Sequence, residues 1–346
     1  MPNFTASQLE ATAVQVLIGA GVTREEAELV ASELVSANLV GHDSHGVMRL
    51  MQYVENIEQG YIRPSGPFEV VHDTPSLAVV DGHFNFGQVT AGKALRLGMD
   101  KARNGGTSTV LLRNCNHVGR LGSYTQLAAQ AGFGCMMGVN APGPGGVAPY
   151  GGIERRLGTN PISMAAPWKQ EAIVLDMTTS AVAEGKLRVA FQKGDHVPAG
   201  WIIDAEGNPA TDPAVFYANP PGALLPLGGP LGFKGFGLSV MLDVFCGILS
   251  GSGIARDDLP RGANGVWLYL IDVGQLLPAA EYEMWIERYV GYIKSSAKTP
   301  GTTEILMPGE IENQRQRERQ AHGISIPDKT WELIQQLATK LGVTLS

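Results

Sequence analysis

Residues 143–148 read Gly143-Pro144-Gly145-Gly146-Val147-Ala148, which by letters alone matches a relaxed form of the glycine fingerprint of doubly wound dinucleotide-binding folds. The surrounding sequence argues against that fold. Pro144 and Pro149 interrupt the segment, and Tyr150-Gly151-Gly152 follows where the fingerprint requires a helix to begin. No acidic residue ends a predicted strand about 20 residues further on, as ribose recognition in that fold demands. We therefore expect an α/β protein that is not built on the Rossmann arrangement.

The composition is that of a folded globular protein with a large core. The chain has 346 residues, of which 44% are hydrophobic and 17% charged, and its length suggests about two domains. A net charge of −7 argues against a nucleic-acid or acidic-membrane partner. The three cysteines have no metal-like spacing, and the first twenty residues lack the basic start and apolar run of a signal peptide. We expect a cytoplasmic protein that acts on a small molecule.

The hydrophobic pattern divides the chain into three zones. Residues 1–67 and 310–346 are predicted to be helical, and neither end is long enough to bury its own apolar face. We expect the two ends to pack together as one helical domain. Residues 68–309 form an α/β region, with a long buried helix predicted at residues 234–249. Strands in this region are predicted at residues 76–80, 107–112, 135–140, 173–175 and 266–273.

A dense group of polar side chains lies in the amino-terminal zone, in Gly41-His42-Asp43-Ser44-His45-Gly46-Val47-Met48-Arg49. If the segment is helical from Ser44 onward, His45 and Arg49 share a face. Arg49 could then hold a carboxylate in a two-bond fork, and His45 could pass a proton to or from the neighbouring oxygen. The alternative is a helix start capped by Ser44 with two surface polar residues. His42 and His45 have no third ligand at a telling spacing, so we expect no metal site.

Two further polar residues follow predicted strands. His117 lies in Asn114-Cys115-Asn116-His117-Val118-Gly119-Arg120, at the kind of strand end where binding groups gather in α/β folds. The alternative is a structural histidine in a polar loop. Asp176 ends an apolar strand, where it could orient a histidine or take part in proton transfer, or could cap a helix.

These segments resemble the malate/L-lactate dehydrogenase family of the second type, which comprises NAD(P)-dependent 2-hydroxyacid dehydrogenases and ketimine reductases without a Rossmann domain. The similar segments occur in the order that the family has and cover nearly the whole chain. They are 41–46 with Arg49, 116–122, 147–152, 157–161, 175–177 with Ser180, 185–186, 233–235 and 308–310.

The resemblance implies a largely antiparallel central sheet that binds the cofactor, a helical domain built from both chain ends, and a homodimer. It also implies that the histidine at the position of His45 gives or takes a proton, although in some members the histidine matching His117 does so. Ser44 and Asp176 match active-site positions, and Arg49 matches the carboxylate-binding position. The implied cofactor-binding residues are Asn140, Asp176, Met177, Thr178, Lys234, Gly235, Gly309 and Glu310.

We therefore expect an oxidoreductase that transfers a hydride between NAD, or NADP, and a 2-hydroxy or 2-oxo carboxylic acid of the malate or lactate type. His45 would take the hydroxyl proton, with Ser44 or Asp176 orienting its ring. Two alternatives stay open: an NADPH-dependent cyclic-imine (ketimine) reductase on the same scaffold, and a non-catalytic relative that binds a dinucleotide. The presence of His45, Arg49, His117 and Asp176 together argues against the second.

Overall fold

The computed structural model describes residues 1–256 and 263–345, in which helices and strands alternate through the middle of the chain. The strands are β1 (Asn3–Phe4), β2 (Glu69–Asp73), β3 (Leu77–Asp81), β4 (Thr107–Cys115), β5 (Phe133–Asn140), β6 (Ile162–Trp168), β7 (Glu171–Met177), β8 (Ile202–Ile203), β9 (Pro209–Ala210), β10 (Ala223–Leu224), β11 (Asn264–Asp272) and β12 (Ile324–Ser325). The α-helices are α1 (Ala6–Gly19), α2 (Arg24–Leu39), α3 (Leu50–Glu58), α4 (Gly87–Gly105), α5 (Leu121–Gln130), α6 (Glu184–Lys193), α7 (Ala214–Tyr217), α8 (Phe233–Leu242), α9 (Ala279–Lys294), α10 (Glu310–His322) and α11 (Asp328–Lys340).

A seven-stranded sheet forms the centre of the molecule, in the order β2-β3-β4-β11-β5-β6-β7. Among its six neighbouring pairs, β3 with β4 is parallel and the other five are antiparallel. A doubly wound dinucleotide-binding fold would instead place parallel strands at its centre. The expected non-Rossmann, largely antiparallel α/β fold is therefore confirmed.

The two faces of the sheet are covered by different helices, because side chains alternate along each strand. Leu268 of β11 is buried with Leu95 of α4 and Tyr124 of α5. Its neighbour Trp267 faces the other side and packs with Leu242 at the end of α8. The sheet is thus buried on both faces near its centre. The loops lie at the ends of the strands on either side of β11.

The two ends of the chain form one helical unit, as the hydrophobic pattern predicts. Leu17 of α1, Leu34 of α2 and Leu50 of α3 share a buried cluster with Ile324 of β12 and Ile334 of α11. The unit is completed by an antiparallel pairing of β1 with β12. A smaller three-stranded sheet, in the order β10-β8-β9, lies between α6 and α8 along the chain.

The predicted buried helix at residues 234–249 needs correction. The α-helix ends at Leu242, and a π-helix follows at Asp243–Ile248. Its outward side chains are not buried, since Met241 is 49% and Ile248 58% exposed. The run is mostly apolar, but one face of the helix is left at the surface. No helix in the described ranges is long and apolar enough to cross a membrane.

Candidate active site

The segment of residues 41–49 does not form the single helix that would place His45 and Arg49 on one face. It folds as two single 3₁₀ turns, Asp43–His45 and Val47–Arg49, and α3 begins only at Leu50. Gly46 separates the turns, and a Cβ there would lie 2.2 Å from Asn38 Oδ1. The backbone therefore approaches α2 too closely for any other residue at this position.

Asn38 and Arg319 hold the first turn in place from two different helices. The Asn38 amide donates to Asp43 Oδ1 at 2.7 Å and accepts from the Val47 backbone N–H at 2.9 Å. Arg319 of α10 donates to both carboxylate oxygens of Asp43, at 2.7 and 3.1 Å. Because α10 belongs to the carboxyl-terminal part of the helical unit, both chain ends contribute to the position of Ser44 and His45.

His45 and His117 come together although they lie in different parts of the fold. His117 follows β4, and its ring stacks on that of His45 with centroids 5.5 Å apart and planes 20° from parallel. Each Nδ1 has a hydroxyl partner: Ser44 Oγ lies 3.0 Å from that of His45, and Tyr53 Oη 2.7 Å from that of His117. Both histidines keep part of their surface exposed, so a small molecule can reach them.

Both histidines are neutral at physiological pH. Burial and the positive charge of Arg49 lower the pKa of His45 to about 3. Burial, Arg49 and His45 itself lower the pKa of His117 well below its usual value. A neutral imidazole has one donor and one acceptor nitrogen, which is the form that can take a proton or donate a hydrogen bond.

Arg49 lies at the end of the second turn, and its side chain folds back on the segment that carries the histidine. Its Nε donates to the Ser44 carbonyl at 2.7 Å, and its Nη1 donates to Gln52 Oε1 at 2.6 Å. These contacts fix the plane of the guanidinium while the residue remains partly exposed. The site therefore combines a permanent positive charge with two neutral imidazoles.

Asp176 contacts a buried arginine and not the imidazole of His45. Its Oδ2 accepts from the Gly122 backbone N–H at 2.8 Å and lies 3.6 Å from Arg120 Nε. Arg120 is almost fully buried, and its charge also contributes to lowering the pKa of His45. Asp176 lies within β7 and is not the N-cap residue of a following helix, although its carboxylate accepts from the first turn of α5. Of the two side chains expected to orient His45, the structure places Ser44 against it.

Four residues near the histidines were not assigned to the site from the sequence: Tyr53, Gln88, Arg120 and Glu33. Tyr53 follows Arg49 by four residues in a helical segment, and that spacing could have revealed it. Gln88 Nε2 donates to Tyr53 Oη at 2.6 Å from α4, a helix that the sequence analysis did not predict. Glu33 accepts from Ser123 Oγ at 2.6 Å, and burial raises its pKa. These contacts join residues that are distant in the chain, which spacing cannot show.

A cavity of about 300 Å³ lies at the amino end of α8. It is lined by Leu227, Gly228, Leu231, Lys234, Gly235 and Leu238. The strand end that carries Met177 and Thr178 is joined to it, because the Leu227 N–H donates to the carbonyl of the next residue, Thr179. Two of the predicted cofactor-binding residues, Lys234 and Gly235, thus line this cavity, and Met177 and Thr178 directly precede the residue that bonds to its wall.

The other predicted cofactor-binding residues lie further from this cavity. Asn140 anchors the π-helix by donating to Asp243 Oδ1 and the Gly253 carbonyl, both at 2.9 Å, while its own buried Oδ1 has no hydrogen-bond partner. Glu310 accepts from Lys294 and from the Met307 N–H. Gly309 packs beside Val174 in the middle of β7. Among the described residues, no group of three or more His, Cys, Asp or Glu side chains could hold a metal ion.

Comparisons with known proteins show which family the chain belongs to. A family model described as malate/L-lactate dehydrogenase matches residues 4–335. The chain is 40% identical over 339 residues to a malate dehydrogenase of Pyrococcus horikoshii, covering 95% of this chain and 93% of the relative. It is 35% identical over 346 residues to hydroxycarboxylate dehydrogenase B of Escherichia coli (strain K12), covering 99% and 95%.

A solved structure gives the same result for the fold. The structure of malate dehydrogenase from Pyrococcus horikoshii OT3 superposes with a TM-score of 0.90 at 34% identity, and the match covers 100% of this chain and 97% of the other. The sequence match and the structural match both span nearly the whole chain. The chain therefore belongs to the malate/L-lactate dehydrogenase family and is an oxidoreductase.

Proposed function

We propose that the enzyme transfers a hydride between a nicotinamide cofactor and a 2-hydroxy or 2-oxo carboxylic acid at the site around His45, His117 and Arg49. The observation that carries this proposal is the stacked pair of neutral histidines beside a permanent cation. A substrate with a carboxylate next to a hydroxyl or oxo group needs a cation to bind the carboxylate and an imidazole to interact with the neighbouring oxygen. The relatives named above as malate and hydroxycarboxylate dehydrogenases support the same class of substrate.

Arg49 is the proposed binding group for the substrate carboxylate. A guanidinium matches a carboxylate in a two-bond geometry, which an ammonium cannot reproduce. Bound there, the carboxylate would offset the positive charge that lowers the pKa of His45. Binding of the correct substrate would thus make His45 a stronger base.

His45 is the proposed proton-transfer group. In the oxidation direction its neutral ring accepts the proton of the substrate hydroxyl, and in the reduction direction it returns that proton to the oxo oxygen. Ser44 Oγ, 3.0 Å from Nδ1, holds the ring in one orientation during both steps. The proposed role of Asp176 is to hold Arg120, whose charge acts on His45, and to accept from Gly122 at the start of α5.

The cavity at α8 fits part of a nicotinamide dinucleotide. Its walls are apolar apart from Lys234, which lies in the first turn of the helix, where backbone N–H groups favour an anion. Gly235 lets α8 pack closely, because a Cβ there would lie 2.3 Å from the Leu227 carbonyl. The unpaired Asn140 Oδ1 offers a further polar contact at the same end of the sheet. When bound, the nicotinamide ring would supply or accept the hydride.

The proposed cofactor-binding residues are Asn140, Asp176, Met177, Thr178, Lys234, Gly235, Gly309 and Glu310. Gly309 and Glu310 are included because Gly309 lies against β7, the strand that ends at Met177. We propose NAD as the cofactor, because none of the six residues that line the cavity is an arginine, the residue that typically accommodates the additional phosphate of NADP.

We propose that two copies of the chain form a homodimer through the outer face of α8 and the π-helix. Phe233 and Met241 on α8, with Ile248 and Leu249 after it, are each 49% to 58% exposed. Large apolar side chains close together on a surface are typical of an interface. Light scattering should give twice the 36.8 kDa mass of one chain, and a mass of one chain would contradict the proposal.

Cytoplasmic location is also proposed, since all three cysteines are buried and unpaired.

The function is tested with a panel of 2-oxo acids, each assayed with NADH and with NADPH. The panel includes pyruvate, oxaloacetate, sulfopyruvate and one cyclic ketimine carboxylate. We expect reduction of at least one 2-oxo acid with NADH, and a faster reaction with NADH than with NADPH. Turnover of the ketimine alone would instead assign an imine reductase. Binding of NADH without turnover of any compound would favour a non-catalytic dinucleotide-binding protein.

A further inference from the structure

A chain of two hydrogen bonds leads from the buried interior to the ring of His117. Gln88 Nε2 donates to Tyr53 Oη at 2.6 Å, and Tyr53 Oη lies 2.7 Å from His117 Nδ1. Gln88 and Tyr53 are each 1% exposed, and Tyr53 is held edge-on against Phe86 with ring centroids 5.9 Å apart. Water therefore does not compete for these bonds, and their direction is set by the protein.

The donor and the acceptor in each of these two hydrogen bonds follow from the protons that Gln88 and Tyr53 carry. An amide nitrogen donates only, so the bond from Gln88 occupies a lone pair of the Tyr53 oxygen. The hydroxyl has one proton, and of its two hydrogen-bond partners Gln88 Nε2 and His117 Nδ1 only the imidazole nitrogen can accept it. A nitrogen that accepts a proton from a hydroxyl cannot carry a proton of its own. The ring proton of neutral His117 is therefore on Nε2.

We propose that Tyr53 and Gln88 are positioning residues that hold His117 as the neutral Nε2–H tautomer, so that it donates a hydrogen bond to the substrate oxygen and leaves proton transfer to His45. This inference rests on the proposed function in one respect: that function identifies the substrate oxygen as the atom that accepts the hydrogen bond from His117. In that role His117 polarises the oxo group of the substrate during reduction. It also stabilises the negative charge that develops on the oxygen.

The same arrangement explains why His117 is a poor base. An imidazole that takes a proton carries N–H groups on both nitrogens, and Nδ1–H would then point at the Tyr53 hydroxyl proton. A hydroxyl turned from His117 toward Gln88 would meet the N–H that Gln88 already donates. Burial raises the pKa of Tyr53 to about 12, so the hydroxyl keeps its proton at physiological pH. Burial and the charge of Arg49 act in the same direction by lowering the pKa of His117.

His45 has no such constraint. Its Nδ1 partner is the hydroxyl of Ser44, which is partly exposed and can either donate or accept. The ring can therefore exist in both tautomers and as the cation, as a proton-transfer group requires. Two stacked histidines thus have different chemistry because their Nδ1 partners differ.

The test is nuclear magnetic resonance of the holoenzyme labelled with ¹⁵N-histidine. The chain has seven histidines, and the variant His117→Asn identifies the signals of His117 by their loss. In the wild-type protein we expect a proton-free, acceptor-type Nδ1 and a protonated Nε2. Tyr53→Phe keeps the ring but removes the hydroxyl, so both tautomers should become populated and the Nδ1 signal should move. A protonated Nδ1 in the wild-type protein, or an Nδ1 signal that Tyr53→Phe leaves unchanged, would overturn the proposal.

Tyr124→Phe is the matched control. The Tyr124 hydroxyl is as buried as that of Tyr53, at 2% exposure of the residue, but it donates to the Val118 carbonyl at 2.6 Å. This variant should leave the His117 tautomer unchanged, and Gln88→Met should reproduce the effect of Tyr53→Phe without touching the tyrosine. We expect Tyr53→Phe to lower kcat roughly 3- to 10-fold, the range of one lost hydrogen bond.

The outcome separates this inference from the proposed function. If His117 has the Nε2–H tautomer and Tyr53→Phe releases it, the inference stands even when no 2-oxo acid is reduced. If a 2-oxo acid is reduced but His117 carries its proton on Nδ1, the proposed function stands and the positioning role of Tyr53 and Gln88 is wrong.

Discussion

The imidazole rings of His45 and His117 stack at 5.5 Å, although one comes from the helical unit and the other from a loop of the central sheet. The site is therefore built at the contact between these two parts of the fold. Each ring is fixed by a hydroxyl from the helical unit, Ser44 for His45 and Tyr53 for His117. A substrate bound at the proposed site would contact both parts.

Replacement of His45 by alanine tests the proton-transfer role. His45→Ala should lower kcat about 10²- to 10⁴-fold, the usual contribution of a general acid or base. Binding of NADH, measured by calorimetry, should be unchanged. His72→Ala, at an exposed position of β2, is the control and should leave kcat as it is. A larger loss of kcat in His117→Ala than in His45→Ala would mean that the two roles are reversed.

Arg49→Lys tests carboxylate binding. The lysine keeps the positive charge but loses the fork, so KM for the best 2-oxo acid should rise while the Kd for NADH stays constant. Arg24→Lys serves as the control, because Arg24 is a surface residue paired with Glu28 one helical turn away. An unchanged KM in Arg49→Lys would exclude Arg49 as the binding group for the carboxylate.

Asp176→Asn tests the buried pair with Arg120. The amide keeps an acceptor for the Gly122 N–H but removes the carboxylate that has the largest effect on the buried guanidinium. Removal of one partner from a buried pair costs about 3–5 kcal/mol, so the free energy of unfolding should fall by about 3 kcal/mol in urea denaturation. Asp100→Asn, in an exposed pair with Arg103, should change it little. Equal effects of the two substitutions would show that Asp176 and Arg120 are not a buried pair.

The two histidines predict how stability depends on pH. Their pKa values are lowered in the folded protein, to about 3 for His45, so below the unfolded value of about 6.5 the unfolded chain binds more protons. The free energy of unfolding should therefore fall as the pH drops from 7 to 5. Glu33, whose pKa is raised by burial, acts in the opposite direction.

Urea denaturation at several pH values measures this effect. In His45→Gln the loss of stability between pH 7 and pH 5 should be smaller than in the wild-type protein, because one of the two protonations is removed. His72→Gln should retain the full pH dependence. A His45→Gln variant with the same slope as wild type would show that His45 is not held neutral by the fold.

The features that the sequence predicts are those whose residue pattern lies within one short segment of the chain. The rejected glycine fingerprint, the apolar helical ends and the clusters around His45 and His117 each occupy one short segment. The contacts around the proposed site are not local: Gln88 reaches Tyr53 from another helix, and Arg120 meets Asp176 from a distant part of the chain. The 3₁₀ turns around Gly46 were missed because only the position of Asn38 on α2 shows why the helix breaks there.

The most direct test of hydride transfer follows the hydrogen itself. The best 2-oxo acid is reduced with NADH that carries deuterium at both C4 positions of the nicotinamide, and the product is examined by mass spectrometry. We expect one deuterium on C2 of the 2-hydroxy acid, and none when unlabelled NADH is used in heavy water with the exchangeable hydrogens washed out. A product that takes its C2 hydrogen from water would contradict direct transfer between the cofactor and the substrate.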